Sequence, residues 1–130
     1  MNRLAALLVV PLALCACTST APPSYQVPRG AVTHVVLVWL KSPGDVAARQ
    51  KLIDTSHEFE QIPGVMLVTA GRALPSTRPV VDSSFDVAVT ILFIDQQSLN
   101  DYETNPIHRK AVQEVLQPLA RKILIYDSTD

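Results

Sequence analysis

Two stretches of this chain are apolar on both of the faces that a strand presents. Residues 33–41 read THVVLVWLK and residues 84–93 read SFDVAVTILF. Both are rich in β-branched and aromatic side chains, and both predict strands. In the first, Val35, Leu37 and Trp39 alternate with His34, Val36, Val38 and Leu40. In the second, Phe85, Val87, Val89, Ile91 and Phe93 alternate with Asp86, Ala88, Thr90 and Leu92. An antiparallel sheet with one wet face should alternate apolar with polar. These strands do not, so the sheet they build needs covering on both sides. One layer of helices can cover only one. A large uncovered apolar face marks an interface, and the expectation is a homodimer packed sheet against sheet.

The remaining elements follow from local signals. Ser42-Pro43-Gly44 is a turn, and Asp45 caps a helix expected over 45–61, with Val46, Ile53 and Phe59 in the core and Leu52 and Ile62 beside them. Pro63-Gly64 ends that helix. Residues 65–71 (VMLVTAG) form a second strand, and 72–83 a polar loop with two prolines. A short helix covers 96–102. Asn105-Pro106 then opens another that runs to about 119, with Asn as cap and Pro in the first turn. Pro118 should distort its last turn. Residues 121–127 (RKILIYD) supply a final strand. The order β-α-β-β-α-β is the split ferredoxin-like arrangement. The fold class is α+β: a four-stranded antiparallel sheet with helices on one face.

The first 31 residues are of another kind. Arg3 precedes an apolar run at 4–14. A spanning helix needs ~20 such residues, so the run reads as a signal peptide core. Leu14-Cys15-Ala16-Cys17 is similar to a bacterial lipobox. Cys17 is preferred over Cys15 as acceptor, because Ala rather than bulky Leu precedes it. The alternative is an ordinary secretory signal ending near Ala21. The division expected is a signal peptide at 1–16, a lipidated Cys17 with its tether at 17–31, and a domain at 32–130. The Ser-, Thr- and Pro-rich tether spans at most ~50 Å, which keeps the domain near the membrane. The lipobox resemblance implies several acyl chains. Thr18 stands where an Asp would signal inner-membrane retention, which implies the outer membrane, facing the periplasm.

A net charge of −1, without a basic stripe, gives nucleic-acid binding no electrostatic support. Both cysteines precede the domain, so it has no thiol chemistry. The three histidines lack the close spacing of a metal site, and no metal or other cofactor is expected. His57 reads as an exposed helix residue.

His108 stands at the third position of the last helix, in line with Val112, Val115 and Leu119, so it faces the core. A neutral imidazole there suits a general base; the alternative is a His holding the helix start. Tyr102 can polarise a substrate carbonyl, or it closes the junction between two helices. His34 and Asp86 are assigned to the helix side as ligand-binding groups. That leaves Val35, Leu37 and Trp39, with Phe85, Val87, Val89 and Ile91, for the dimer. Arg72 and Arg78 could meet an anionic ligand from the loop, or are solvated loop charge.

The domain resembles the stress-responsive dimeric α/β-barrel (Dabb) family. The resemblance rests on His34-Val35-Val36-Leu37, Ile62-Pro63-Gly64-Val65, the run from Tyr102 to His108, and the ending Leu116-Gln117-Pro118-Leu119 through Ile125-Tyr126-Asp127. The family commonly shows Tyr-x-x-His-Pro-x-His; Asn105 replaces the first His here. The resemblance implies a ferredoxin-like protomer whose sheets close a barrel across a dimer. One plant member is a cofactor-free polyketide cyclase using a Tyr and a His that match Tyr102 and His108. Related barrels that are monooxygenases or haem-degrading enzymes are linked by fold alone. Three functions follow as expectations. The first is an envelope lipoprotein, linked to stress, whose barrel binds a small hydrophobic or aromatic molecule. The second is a cofactor-independent cyclase or lyase with His108 as base and Tyr102 as carbonyl polariser. The third is a structural or partner-binding lipoprotein.

Overall fold

The computed structural model describes residues 26–130; the signal peptide, Cys17 and most of the tether fall outside the described residues. The elements are β1 (Val32–Leu40), α1 (Val46–His57) with a 3-10 turn (Glu58–Gln61), β2 (Val65–Gly71), β3 (Val87–Phe93) and α2 (Gln96–Thr104). A last helical run follows in three pieces: α3 (Pro106–Ala111), a π-helical turn (Val112–Leu116) and α4 (Gln117–Leu119). Strand β4 (Ala120–Thr129) completes the order. All strand pairs are antiparallel, in the order β2-β3-β1-β4. With the first and third strands central and the helices on one face, this is the ferredoxin-like fold.

The helix starts form as their sequences dictate. The Asp45 carboxylate accepts from the Ala48 amide at 3.0 Å. Asp95 caps α2 through the Ser98 amide at 2.8 Å, and Asn105 caps α3 through Ile107 at 2.9 Å, with Pro106 in the first turn. Leu52, Phe59 and Ile62 enter the core. Val46 does not: it sits in the first turn, 70 % exposed. Gly64 adopts φ +87°, and a Cβ there would overlap the Ser98 side chain, so the turn into β2 and the seating of α2 both require glycine. Pro118 distorts the last helix as expected. Having no N–H, it cannot donate, and the preceding Gln117 amide reaches back five residues to the Val112 carbonyl. The helix ends at Leu119, and the Lys41 ammonium gathers its unpaired terminal carbonyls of Gln117 (3.1 Å) and Pro118 (2.8 Å).

The register corrects one expectation. His34, Val36 and Val38 lie opposite Ile91, Val89 and Val87. Directly opposed residues share a face, and this is the helix face, where Val87, Ile91 and Phe93 are completely buried. The odd-numbered β3 residues therefore belong to the core rather than to the outer face. The outer face carries Val35, Leu37 and Trp39 beside Ala88, Thr90 and Leu92 from β3, and Leu124 and Tyr126 from β4. Trp39 is held there by its indole N–H to Ser84 Oγ (3.1 Å) and by Lys122 Nζ, 4.3 Å above the ring. Among the described residues no helix covers this face.

Candidate functional site

Between the helix face of the sheet and the helices lies a cavity of about 280 Å³. Its walls are aliphatic: Val36, Val38 and Val89 from the central strands, Leu52 from α1, Val115 from the π-helical turn, and Ile123 and Ile125 from β4. His34, Tyr102 and His108 also line it, with Phe59 among them. Three polar rings thus cluster in an otherwise greasy chamber, as in ligand pockets generally.

His34 comes from β1 and is only 5 % exposed. Its strand partner is Asp127 on β4, and its Nδ1 lies 2.6 Å from Asp127 Oδ1. A carboxylate only accepts, so Nδ1–H donates. The ring is fixed in orientation and Nε2 is its remaining nitrogen. Asp127 is half exposed, so the charge side of the pair faces solvent and the imidazole faces the interior.

Tyr102 comes from the last turn of α2 and is 2 % exposed. Burial, aided by the Glu103 charge, pushes its phenol well above the ordinary range. It is a neutral hydroxyl at any physiological pH, a donor rather than a phenolate. Its ring is gripped by Phe93 at 5.0 Å and Phe59 at 5.4 Å between centroids, and it leans over the His108 ring at 4.2 Å.

His108 is placed by the Asn105-Pro106 cap. Its Nδ1 sits 3.3 Å from the Glu103 carbonyl, to which it donates. Burial holds its pKa below the ordinary histidine value; the carbonyl bond opposes this and the neighbouring His34 adds to it. The imidazole is therefore neutral at pH 7, with Nε2 as a basic nitrogen. Such a group can accept a proton, and a buried phenol beside it can hydrogen-bond a carbonyl oxygen.

Three of the four residues expected in the pocket thus meet. Asp86 does not. It precedes β3 at the other end of β1, where Oδ2 accepts from the Leu40 amide (2.9 Å) and Oδ1 from the Gly44 amide (3.1 Å). It organises the turn into α1, since these backbone donors compete successfully for its carboxylate. Asp127 was not singled out by sequence. Its signal was a β1–β4 pairing that sets an acid opposite His34, readable only once the register is known. His57 is exposed, as expected, and its Nδ1 lies 3.0 Å from Glu60.

The sequence matches the family described as the stress responsive A/B barrel domain over residues 32–130. No curated protein matches in sequence. Several solved structures share the fold. A Dabb family protein with a ferredoxin-like fold from Mesorhizobium loti is 23% identical, with TM-score 0.64, covering 78% of this chain and 98% of that one. The hydroxynitrile lyase from Passiflora edulis is 18% identical, with TM-score 0.68, covering 79% and 95%. A dimeric ferredoxin-like protein of unknown function from Thermobifida fusca is 14% identical, with TM-score 0.66, covering 85% and 100%. At such identities the structural likeness establishes the fold, and the sequence match over residues 32–130 establishes that the chain belongs to the stress responsive A/B barrel domain family.

Proposed function

We propose that the domain binds a small, mainly apolar molecule bearing one carbonyl or hydroxyl group. The observation that carries this is the aliphatic cavity of about 280 Å³ lined also by His34, Tyr102 and His108. A dry cavity of ~150 Å³ accepts benzene, so this chamber suits a single substituted ring or a compact aliphatic of similar bulk. The wall contributes hydrophobic transfer, and the polar groups orient the guest. Calorimetric titration with substituted benzaldehydes and phenols tests the reading. Saturable binding is expected, weakened about tenfold in Tyr102→Phe by loss of one hydrogen bond. It should be blocked in Ile125→Trp, whose indole would fill the half-exposed side of the cavity. A folded protein that takes up none of these compounds sinks the proposal.

A second reading is favoured by the neutral His108 and the oriented His34–Asp127 pair. These are the parts of a cofactor-free proton-transfer site of cyclase or lyase type, and the Passiflora edulis hydroxynitrile lyase shares the fold. His108 Nε2 would take a proton while the Tyr102 hydroxyl polarises a carbonyl. Loss of the base in His108→Ala should lower turnover by ~10²–10⁴-fold, with binding largely kept.

We further propose that the domain works as an envelope lipoprotein and a homodimer, in a stress-linked role. The leader pattern supports the anchor through Cys17. The apolar outer sheet face and the dimeric protein of the same fold support the assembly. Incorporation of a labelled lipid precursor should vanish in Cys17→Ala. Its persistence would move the acceptor to Cys15.

A further inference from the structure

A second, basic cleft of about 350 Å³ sits at the other end of the sheet and shares no residue with the apolar cavity. Arg49 from α1, Arg72 just beyond β2, Ser83, Phe85 and Asp86 line it. Arg49 is mostly buried, and its Nε is buried without a hydrogen-bond partner among the described residues. Its one ionic contact is loose: Nη2 lies 3.9 Å from Asp86 Oδ1. Asp86 is already committed, since its two oxygens accept from the Leu40 and Gly44 amides. A guanidinium carries five donors in a planar fork, and here the nearest carboxylate is turned to the backbone. Arg72 adds a second positive group from the loop, so two guanidinium groups face one carboxylate. Buried charge is normally paired, and among the described residues nothing else pairs Arg49.

We propose that Arg49 and Arg72 form a binding site for the oxyanion group of a small solute, a carboxylate or a phosphate. The planar fork of Arg49 matches two oxygens of either group. Arg72, exposed on the loop, closes over the anion, the Ser83 hydroxyl is available as a further donor, and Phe85 offers an apolar wall for the remainder of the solute. The site is independent of the apolar chamber and of its proposed ligand.

The protein carries its own reporter. Trp39 is the only tryptophan, and its indole N–H donates to Ser84, between the cleft residues Ser83 and Phe85. The full-length protein would be titrated with inorganic phosphate and with acetate, against chloride at matched ionic strength, reading Trp39 fluorescence. A saturable response to phosphate or acetate and none to chloride is expected. Arg49→Gln and Arg72→Gln should each weaken it at least about tenfold, as loss of a charge-assisted hydrogen bond does. Arg72 is exposed, so its variant keeps the test decisive if Arg49→Gln fails to fold. An equal response to chloride, or wild-type affinity in Arg72→Gln, overturns the proposal. It is overturned equally if phosphatidylglycerol vesicles bind through Arg72 while free phosphate and acetate are silent. The same holds if the substitutions shift the monomer–dimer balance without a titratable response, for then a second copy fills the cleft.

Discussion

Phe93→Ala is expected to destabilise the domain by about 3–5 kcal/mol, the usual cost of removing a fully buried aromatic ring. Phe93 is the largest completely buried side chain among the described residues. It ends β3 under the helices, its ring edge-on to His34 at 6.1 Å and tilted to Tyr102 at 5.0 Å. Neither neighbour can move in to fill the gap cheaply, because His34 is held by Asp127 and Tyr102 by Phe59 and His108. Against a typical total of about 5–15 kcal/mol, the loss is large, and the melting temperature of a domain this size should fall by more than roughly 10 °C. Urea unfolding measures it directly. A change below about 1 kcal/mol would mean that the rings around Phe93 close the gap at little cost. Because the same ring props Tyr102, the variant should also lose affinity for the proposed ligand while still folded at low temperature.

Leu37→Asp should convert the proposed dimer into a folded monomer. Leu37 lies at the middle of the outer sheet face, between Ala88 on β3 and Leu124 on β4. In a single protomer the new carboxylate faces water, and the cost is limited to β-propensity, ~1 kcal/mol or less. In a two-fold symmetric pair the substitution occurs twice at the same interface. Each copy then buries an unpaired charge at a penalty of several kcal/mol. Two such penalties weaken association by about 10⁴-fold or more. Sedimentation of wild type and variant at equal concentration decides it. A variant that remains dimeric would place the interface elsewhere than on this face.

Most elements were legible because their signals are local. A cap such as Asn105-Pro106 acts within one helical turn, and the Gly64 turn is fixed by its own backbone and by Ser98. The failures at the site were of register. Whether Asp86 or Val87 joins His34 depends on how β3 slides along β1, and a slip of one residue exchanges the two faces. With both faces apolar, hydrophobic patterning could not choose between them. The same ignorance hid Asp127, whose importance comes from lying opposite His34 on a strand almost a hundred residues away in sequence. Tyr102 and His108 are legible because the stripe from His108 to Leu119 and the motif joining the two residues are both local. Their contact at 4.2 Å, which turns two candidates into one site, arises only in the folded chain. Val46 failed for a simpler reason: an apolar residue in a helix's first turn need not be covered.

Strand β4 lies at the edge of the sheet, and its cavity-facing Ile123 and Ile125 remain 38% and 50% exposed. These two side chains leave the chamber a partly open side edged with aliphatic carbon. A guest could exchange through it without any helix lifting away. Its residence time would then be governed by its own grip on the three rings, and stopped-flow dilution of a loaded protein would time the departure. On the proposed function, such a chamber suits a compound that is picked up and released quickly, not one that is locked in.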